Sequence, residues 1–271
     1  MSMNDKINAV ASQFEPITLS EMENVKLMER VDSKYVFPAS QLPDIMKGML
    51  SSYRLLEINN VRLHRYESLY YDTKDFQLFK RHHLGRLNRW KLRFRKYVDS
   101  GGLTFFEIKF KNSKEKTLKR RVKMKSIPNK IEEKAEKFLK EITPFSSEMF
   151  EPKMWVNYSR MTFVNKFSEE RLTIDTNLHF IKINPMAIRL EENIADIRFP
   201  QMVIAEAKRG KASSISEFIR MVRLNGIRES GISKYCFGIY NVFHEVKKNN
   251  FKPRVRFIHK MAGIPFQQTG T

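Results

Sequence analysis

Alternating basic residues dominate one stretch of this sequence. In segment 87–97, LNRWKLRFRKY, the cations occupy alternate positions, and most of the residues between them are apolar or aromatic. Because side chains alternate between the faces of a β-strand, the cations fall on one face, and Trp90 and Phe94 fall on the other. The guanidinium forks of Arg93 and Arg95 match the oxygens of phosphate groups. The segment therefore predicts a strand with one face suited to binding phosphate.

Two later segments, 103–111 and 117–124, repeat this alternation, so three successive strands are predicted to be cationic on one side. Further charged residues on these faces are Arg89, Lys91, Glu107, Lys109, Lys111, Lys119 and Arg121. One strand of this kind would simply turn its charged face to water, as in any half-buried antiparallel sheet. Residues 80–125, however, hold 17 Lys and Arg against 3 Asp and Glu. Like charges on neighbouring strands repel by about a few kcal/mol at 4 Å, so the clustering indicates a polyanionic ligand and a sheet that curls into a barrel with its cations inside.

Three further segments are predicted as strands. Segment 154–164 places Tyr158 and Arg160 in phase, and segment 171–180 places Arg171, Thr173, Asp175, Asn177 and His179 in phase. Segment 202–208, MVIAEAK, is largely apolar and indicates a strand buried on both faces. The charges of Glu206 and Lys208 within it would need partners or a ligand, because an unpaired buried ion is costly.

Helices are predicted between the strands. The sequences Thr18-Leu-Ser-Glu21 and Ser214-Ile-Ser-Glu217 are typical of capping boxes, and the apolar spacing over 130–142 indicates an amphipathic helix. Two more helices are predicted near 40–50 and 234–247. Since helices and strands do not alternate regularly, the pattern favours an α+β fold over a doubly wound parallel sheet.

Composition limits the classes of protein. The 271 residues carry a formal net charge of +20, which indicates a polyanionic partner. The single cysteine, Cys236, excludes an internal disulfide and favours a reducing compartment, with the cytoplasm as the expected location. No run approaches 18 apolar residues, so no transmembrane segment is predicted. We expect loose ends in the first dozen residues and after Lys252.

Two ordinary alternatives remain for such a cationic surface. A nucleic-acid binder is expected to interleave exposed aromatic and basic residues, but here Trp90 and Phe94 face away from the arginines, which argues against base stacking. A non-catalytic polyphosphate-binding module would use the same cations without turnover.

Eight short motifs in order resemble the VTC (vacuolar transporter chaperone) polyphosphate polymerase family, within the CYTH-like triphosphate tunnel metalloenzymes. The resemblance covers residues 24–245. The motifs are Arg30-Val-Asp-Ser-Lys34-Tyr35, Tyr70-Tyr71-Asp72-Thr73, Lys91-Leu-Arg93-Phe-Arg95, Phe106-Glu107-Ile-Lys109, Tyr158-Ser-Arg160, Arg171-Leu-Thr-Ile-Asp175, Ala205-Glu206-Ala-Lys208 and Ser233-Lys234-Tyr235.

The resemblance implies a closed antiparallel tunnel of about eight strands with a cationic interior and helices packed outside. It implies a domain over 24–247, preceded by an N-terminal segment (1–23) and followed by a basic tail (248–271). Catalytic roles fall on Arg93, Arg95, Lys109, Arg160, Arg171 and Glu206. Further phosphate ligands are Lys34, Lys91, Lys119, Arg121, Tyr158, Lys208, Ser233 and Lys234. Mn²⁺ or Mg²⁺ would be held by Glu206, with Glu107 a weaker candidate. The local pattern of Tyr70 to Thr73 indicates the end of a strand followed by a turn, so these residues are interpreted as structural.

The activity implied is transfer of the γ-phosphate of ATP to inorganic polyphosphate or pyrophosphate. Where triphosphatases of the superfamily carry an ExExK strand, this chain has Arg30-x-Asp32-x-Lys34. Loss of the first carboxylate favours direct clamping of phosphate by cations, which is the polymerase-like pattern. A triphosphatase that uses the same residues with water as the nucleophile remains the alternative.

Overall fold

The computed structural model of this chain describes residues 1–24, 30–114, 116–183, 193–210 and 216–263. The strands in these ranges are β1 (Glu15–Ile17), β2 (Arg30–Pro38), β3 (Tyr53–Leu56), β4 (His64–Asp72), β5 (Arg89–Tyr97), β6 (Leu103–Lys111), β7 (Thr117–Met124), β8 (Glu151–Asn165), β9 (Glu170–Ile183), β10 (Asn193–Phe199) and β11 (Met202–Gly210). The helices are α1 (Met3–Ala11), α2 (Leu19–Asn24), α3 (Leu42–Met49), α4 (Gln77–His83), α5 (Glu133–Ile142), α6 (Glu217–Leu224), α7 (Lys234–Val242) and α8 (Lys252–Ala262).

All eleven strands belong to one sheet, and the prediction of an α+β fold is confirmed. Its main path runs in the order β2-β11-β9-β8-β4-β5-β6-β7, with antiparallel neighbours throughout. Off this path, β10 pairs with β9, while β3 pairs antiparallel with β8 and parallel with the short β1. The predicted closed tunnel of about eight strands is wrong in two respects: the sheet has eleven strands, and the end strands of its main path, β2 and β7, do not hydrogen-bond to each other.

The sheet nevertheless curls until distant strands approach each other. Lys34 of β2 donates to the carbonyl oxygen of Ile232, while Lys91 of β5 donates to the hydroxyl of the next residue, Ser233. β2 and β5 stand five places apart in the sheet order, so two neighbouring residues can bridge them only if the sheet folds round. The result is an open-seamed barrel with an inner and an outer face.

The outer face is covered by helices. Tyr35 and Phe37 of β2 and Phe163 of β8 pack with side chains of α1, α3 and α6. On the other side of the barrel, Phe94 and Phe106 pack under α5. The prediction that the aromatic residues between the basic ones face a core is confirmed.

Helix α7 lies inside the barrel, contrary to the expectation that the helices pack outside. Val36 lies between Tyr35 and Phe37 on β2 and therefore faces inward, where it joins a core with Val156 of β8 and residues of α7. Gly238 permits the close approach, because a Cβ atom there would come within 2.5 Å of Met154 and Phe180. Six of the nine α7 residues are buried apolar or aromatic side chains: Tyr235, Cys236, Phe237, Ile239, Tyr240 and Val242. Helix α7 thus fills one end of the barrel.

Residues 3–11 and 252–262 form helices, where the sequence predicted loose ends. Helix α1 begins with a capping box between Ser2 and Asp5 and buries Ile7 and Val10. Helix α8 buries Val255 and Ile258 against α7 and its surroundings. No helix within the described ranges has the length and apolar character needed to cross a membrane.

The structure confirms the predicted start of α2, gives α6 a different capping residue and changes the predicted alternation of β9. Thr18 and Glu21 form the predicted capping box of α2. Ser214 lies outside the described residues, and the hydroxyl of Ser216 caps α6. In β9, Asn177 takes a positive φ of 52° and shifts the alternation, so His179 leaves the phase of Arg171 and bonds Asp196 at 2.7 Å.

Candidate functional site

The inner face brings the predicted cations together above the first turn of α7. The Nζ atom of Lys91 lies 2.8 Å from Ser233 Oγ, and that of Lys34 lies 3.5 Å from the Ile232 carbonyl oxygen. Lys109 stands opposite Lys91 in the β5–β6 register. Ser233 caps α7, whose first N–H groups add the positive end of a helix dipole. We call Lys34, Lys91, Lys109 and Ser233 the cavity floor.

The cavity floor carries more positive charge than Glu206, the carboxylate whose charge acts on Lys34 and Lys109, can neutralise. The contacts that the structure gives Lys34 and Lys91 are to the Ile232 carbonyl oxygen and the Ser233 hydroxyl group rather than to a carboxylate. Burial and the charges of Lys91 and Lys34 lower the pKa of Lys109 to about 7. Burial also lowers the pKa of Lys91. Ammonium groups held together at this energetic cost favour an anionic ligand between them.

Beside the floor, Glu107 joins two of the predicted phosphate ligands. Its Oε2 atom accepts from Arg93 at 2.5 and 2.8 Å, and its Oε1 atom lies 2.7 Å from the Lys119 ammonium. Burial alone would raise the pKa of Glu107, but the charges of Arg93, Arg95 and Lys119 outweigh it and hold the pKa well below its usual range. Because both oxygens already bind cations of this chain, the geometry favours a counter-ion over the predicted metal ligand.

Asp175, on β9, is likewise a buried counter-ion of two cations. It accepts from Arg160 through both oxygens, at 2.5 and 2.8 Å, and also bonds the Lys234 ammonium. Its side chain is only 3% exposed. Burial raises its pKa, yet the charges of Arg160 and Lys234 prevail and the pKa is lowered. Asp175 therefore fixes a guanidinium and an ammonium group that were predicted to bind phosphate.

Glu206 and Asp32 share a third cation, the ammonium of Lys208. Lys208 Nζ lies 2.5 Å from Glu206 Oε1 and 3.1 Å from Asp32 Oδ2. The register of β2 and β11 explains this arrangement, because it pairs Lys34 with Glu206 and Asp32 with Lys208. The charges of Lys34 and Lys208 overcome the effect of burial and lower the pKa of Glu206.

This pair of carboxylates fits a divalent cation in part. Mg²⁺ and Mn²⁺ accept carboxylate oxygens, and Mg²⁺ commonly combines one or two carboxylates with substrate phosphates. In the ranges that the structure covers, no group of three His, Cys, Asp or Glu residues could hold a metal ion. Asp32 and Glu206 would therefore supply two ligand oxygens, and phosphate and water oxygens would complete the coordination of the metal ion.

The remaining predicted ligands line the walls and the rim. Arg95 is buried and donates to Ser68 Oγ at 3.1 Å. Arg171 stands opposite Lys208 in the β9–β11 register. Arg121 lies on the end strand β7 with its guanidinium 4.5 Å from the centre of the Phe105 ring, and it is exposed to solvent. The predicted phosphate ligands thus lie on the inner face of the curled sheet or at the start of α7.

Tyrosines form an aromatic wall that sequence reasoning only partly found. The predicted ligand Tyr158 stacks on Tyr66 at 5.2 Å, and the Arg160 guanidinium lies 5.2 Å from both ring centres. Tyr70, predicted to be structural, accepts a 2.6 Å hydrogen bond from Arg93 and belongs to the site. The interpretation of Asp72 as structural agrees with its contacts, since it accepts from the first N–H groups of α4.

Comparison with known proteins adds a family match. The family model described as VTC domain matches residues 29–243. The match starts immediately before β2 and ends just after α7, so it encloses every strand and helix that forms the cavity. No curated protein matches the chain.

Two solved structures are similar in fold. A candidate adenylate cyclase from Bacillus halodurans has 13% identity and a TM-score of 0.48, with 79% of this chain and 97% of that chain covered. A candidate adenylyl cyclase from Hippeastrum, described as having a dominant triphosphatase activity, has 13% identity and a TM-score of 0.49, with 79% and 96% covered.

Proposed function

The chain belongs to the VTC domain family, and from this premise we propose that it is a polyphosphate polymerase that transfers the γ-phosphate of ATP to inorganic polyphosphate or pyrophosphate. The observation that carries the proposal is the cavity floor. Three lysines meet there, and Glu206, the carboxylate whose charge acts on Lys34 and Lys109, already binds Lys208. A chain of phosphates supplies the negative charge that this arrangement lacks.

The triphosphate of ATP would lie along the inner face of the barrel. Lys91, Arg93, Arg95 and Lys109 would hold it from β5 and β6, and Arg160 and Arg171 from β8 and β9. Lys34 of β2 and Lys234 of α7 would complete the binding site. Bidentate guanidinium groups fix the direction of phosphate oxygens better than ammonium groups do. Arg93 and Arg160 are each held by a buried carboxylate, so their forks are positioned before the ligand arrives.

Transfer needs alignment and charge neutralisation more than covalent help from the protein. A terminal phosphate oxygen of the acceptor chain attacks the γ-phosphorus as the bond to the β,γ-bridging oxygen breaks. ADP leaves, and the acceptor is longer by one phosphate. No general base is required, because the attacking oxygen is already anionic at neutral pH.

Asp32 and Glu206 are the residues that would hold Mn²⁺ or Mg²⁺. A divalent cation there would neutralise charge on the phosphate oxygens. Lys208 and Lys34 border the same place and would bind those oxygens directly. We place the activity in the cytoplasm, where the unpaired and buried Cys236 would stay reduced.

Lys109→Met tests the assignment without breaking an ion pair. Losing a floor ammonium should lower ATP turnover by about a hundredfold to a thousandfold, as removal of a single charge-stabilising group does in other active sites, while the fold is kept. Arg120→Ala is the matched control, since Arg120 lies on the outer, exposed face of the same strand cluster, opposite Ile108. Equal turnover in the two variants would contradict the cavity assignment.

A further inference from the structure

We propose that the Lys208 ammonium is an internal substitute for the divalent cation, so that metal and polyphosphate enter the cavity together rather than independently. The inference rests on the metal requirement of the proposed function, but it concerns binding and not turnover. It assigns Asp32 and Lys208 roles in the control of metal binding.

The geometry places one cation between two carboxylates. Lys208 Nζ contacts Glu206 Oε1 at 2.5 Å and Asp32 Oδ2 at 3.1 Å. The two carboxylates come from different strands and lie diagonally across the β2–β11 pair. A divalent cation that used both oxygens would take the place where the ammonium group now lies.

The surrounding charges disfavour a divalent cation that arrives alone. Lys34 is paired with Glu206 across β2 and β11, and the charge of Arg160 also acts on Glu206. A divalent cation that displaced the Lys208 ammonium would then lie close to three positive side chains, those of Lys34, Arg160 and Lys208 itself, and would be repelled by them. Bound phosphate reverses the balance, because its oxygens attract Lys208 and Lys34 and leave the two carboxylates to the metal.

The coupling must be reciprocal. If tripolyphosphate tightens metal binding by some factor, then the metal tightens tripolyphosphate binding by the same factor. Removing the internal cation should strengthen metal binding to the empty cavity and reduce the coupling.

A second lysine in the cavity provides a matched control. Lys119 also bonds a buried carboxylate, Glu107, but that carboxylate is held by Arg93 as well, and no second carboxylate shares the lysine among the described contacts. Lys119→Met therefore removes one cavity ammonium without removing a cation that two carboxylates share.

The experiment follows the electron paramagnetic resonance signal of free Mn²⁺ during titration of the full chain, first without phosphate. We expect Lys208→Met to bind Mn²⁺ about tenfold tighter than the unmodified protein, which is within the usual range for coupled sites. The Mn²⁺ affinity of Lys119→Met should stay within about twofold of that of the unmodified protein, since Lys119 is not shared between two carboxylates among the described contacts. The double variant Lys208→Met with Glu206→Gln should lose the gain.

The titration is then repeated with inorganic tripolyphosphate, after its own chelation of Mn²⁺ has been measured in protein-free samples. Tripolyphosphate should tighten Mn²⁺ binding in the unmodified protein by a larger factor than in Lys208→Met. The proposal is overturned if Lys208→Met gains no affinity without phosphate, or if the gain survives in the double variant. Lys208→Gln, which keeps most of the side-chain length, replaces Lys208→Met if circular dichroism shows that the latter is unfolded.

These outcomes separate the inference from the proposed function. A gain in Mn²⁺ affinity in a protein that does not turn over ATP would support the substitute cation and reject the polymerase. If the unmodified protein turns over ATP and Lys208→Met has an unchanged Mn²⁺ affinity, the polymerase is supported and the substitute cation is rejected.

Discussion

Asp175 offers the sharpest test of how this cavity is held together. The change Asp175→Asn keeps the size of the side chain and removes its charge. Arg160 loses a bidentate partner, and Lys234 loses its carboxylate contact. Both cations then remain buried in a region already rich in positive charge.

The expected magnitude follows from the burial of this group. Removing one partner of a buried ion pair destabilises a protein by about 3–5 kcal/mol, because the other charge stays desolvated and unpaired. Asp175 is 3% exposed and serves two cations, so we expect a loss of at least about 3 kcal/mol in the free energy of unfolding. Tripolyphosphate should reduce this loss, since it brings negative charge to the same cations.

The assay is urea unfolding followed by circular dichroism, with and without tripolyphosphate. Asp196→Asn is the control, because Asp196 pairs with His179 at a site where the carboxylate is 50% exposed. An exposed pair of this kind contributes less than about 1 kcal/mol. Equal stability losses in the two variants would refute the structural role of Asp175. A loss in Asp175→Asn that tripolyphosphate does not diminish would place the anion elsewhere.

Three further changes test other parts of the account. Lys109 has a pKa of about 7 in the empty cavity, and bound phosphate favours its charged form, so binding takes up a proton. Calorimetry from about pH 7 to pH 9 should show that the affinity advantage of the unmodified protein over Lys109→Met shrinks as pH rises, and parallel profiles would contradict this. Gly238→Ala should cost about 1–3 kcal/mol in thermal unfolding, because the added Cβ meets Met154 and Phe180. Gly231→Ala, whose nearest atom is 3.7 Å away, is its control, and equal stability would argue against α7 inside the barrel. Glu107→Gln should lower stability by about 3–5 kcal/mol yet leave Mn²⁺ affinity with tripolyphosphate unchanged, whereas Glu206→Gln should weaken that affinity. A fall in Mn²⁺ affinity in Glu107→Gln would restore Glu107 as a metal ligand.

The sequence predicted the cationic strands well because their alternation is strong. Segments 103–111 and 117–124 coincide with β6 and β7, and segment 87–97 exceeds β5 by two residues. Alternation depends only on which face of a strand is buried, so a short stretch of sequence contains the whole signal.

Long-range arrangement was harder to predict. The helix over 234–247 was predicted, but not its place inside the barrel. The signal was present, because Tyr235, Phe237 and Ile239 share no single face, and a helix that is apolar all round is usually buried. Likewise, Ser2 and Asp5 have the spacing of a capped helix start, a signal for α1 that the prediction of a loose N-terminal end did not take into account.

The roles of the carboxylates could not be read from the sequence. Asp175 was seen only as one residue in phase with Arg171, since its partner Lys234 comes from α7, 59 residues later. Glu107 was recognised as acidic among cations, but whether a carboxylate binds a metal or a guanidinium depends on which side chains the curl of the sheet brings within about 3 Å.

One measurement tests the central proposal most directly. Purified protein is incubated with ATP and Mn²⁺, with and without a pyrophosphate or short polyphosphate primer, and the products are separated on a gel stained for polyphosphate while ADP and free phosphate are measured. The account predicts a ladder that lengthens in step with ADP and is lost in Lys109→Met but kept in Arg120→Ala. Free phosphate without a ladder would contradict the polymerase and indicate a triphosphatase. Tight polyphosphate binding with no turnover would indicate a cavity that only binds the polymer.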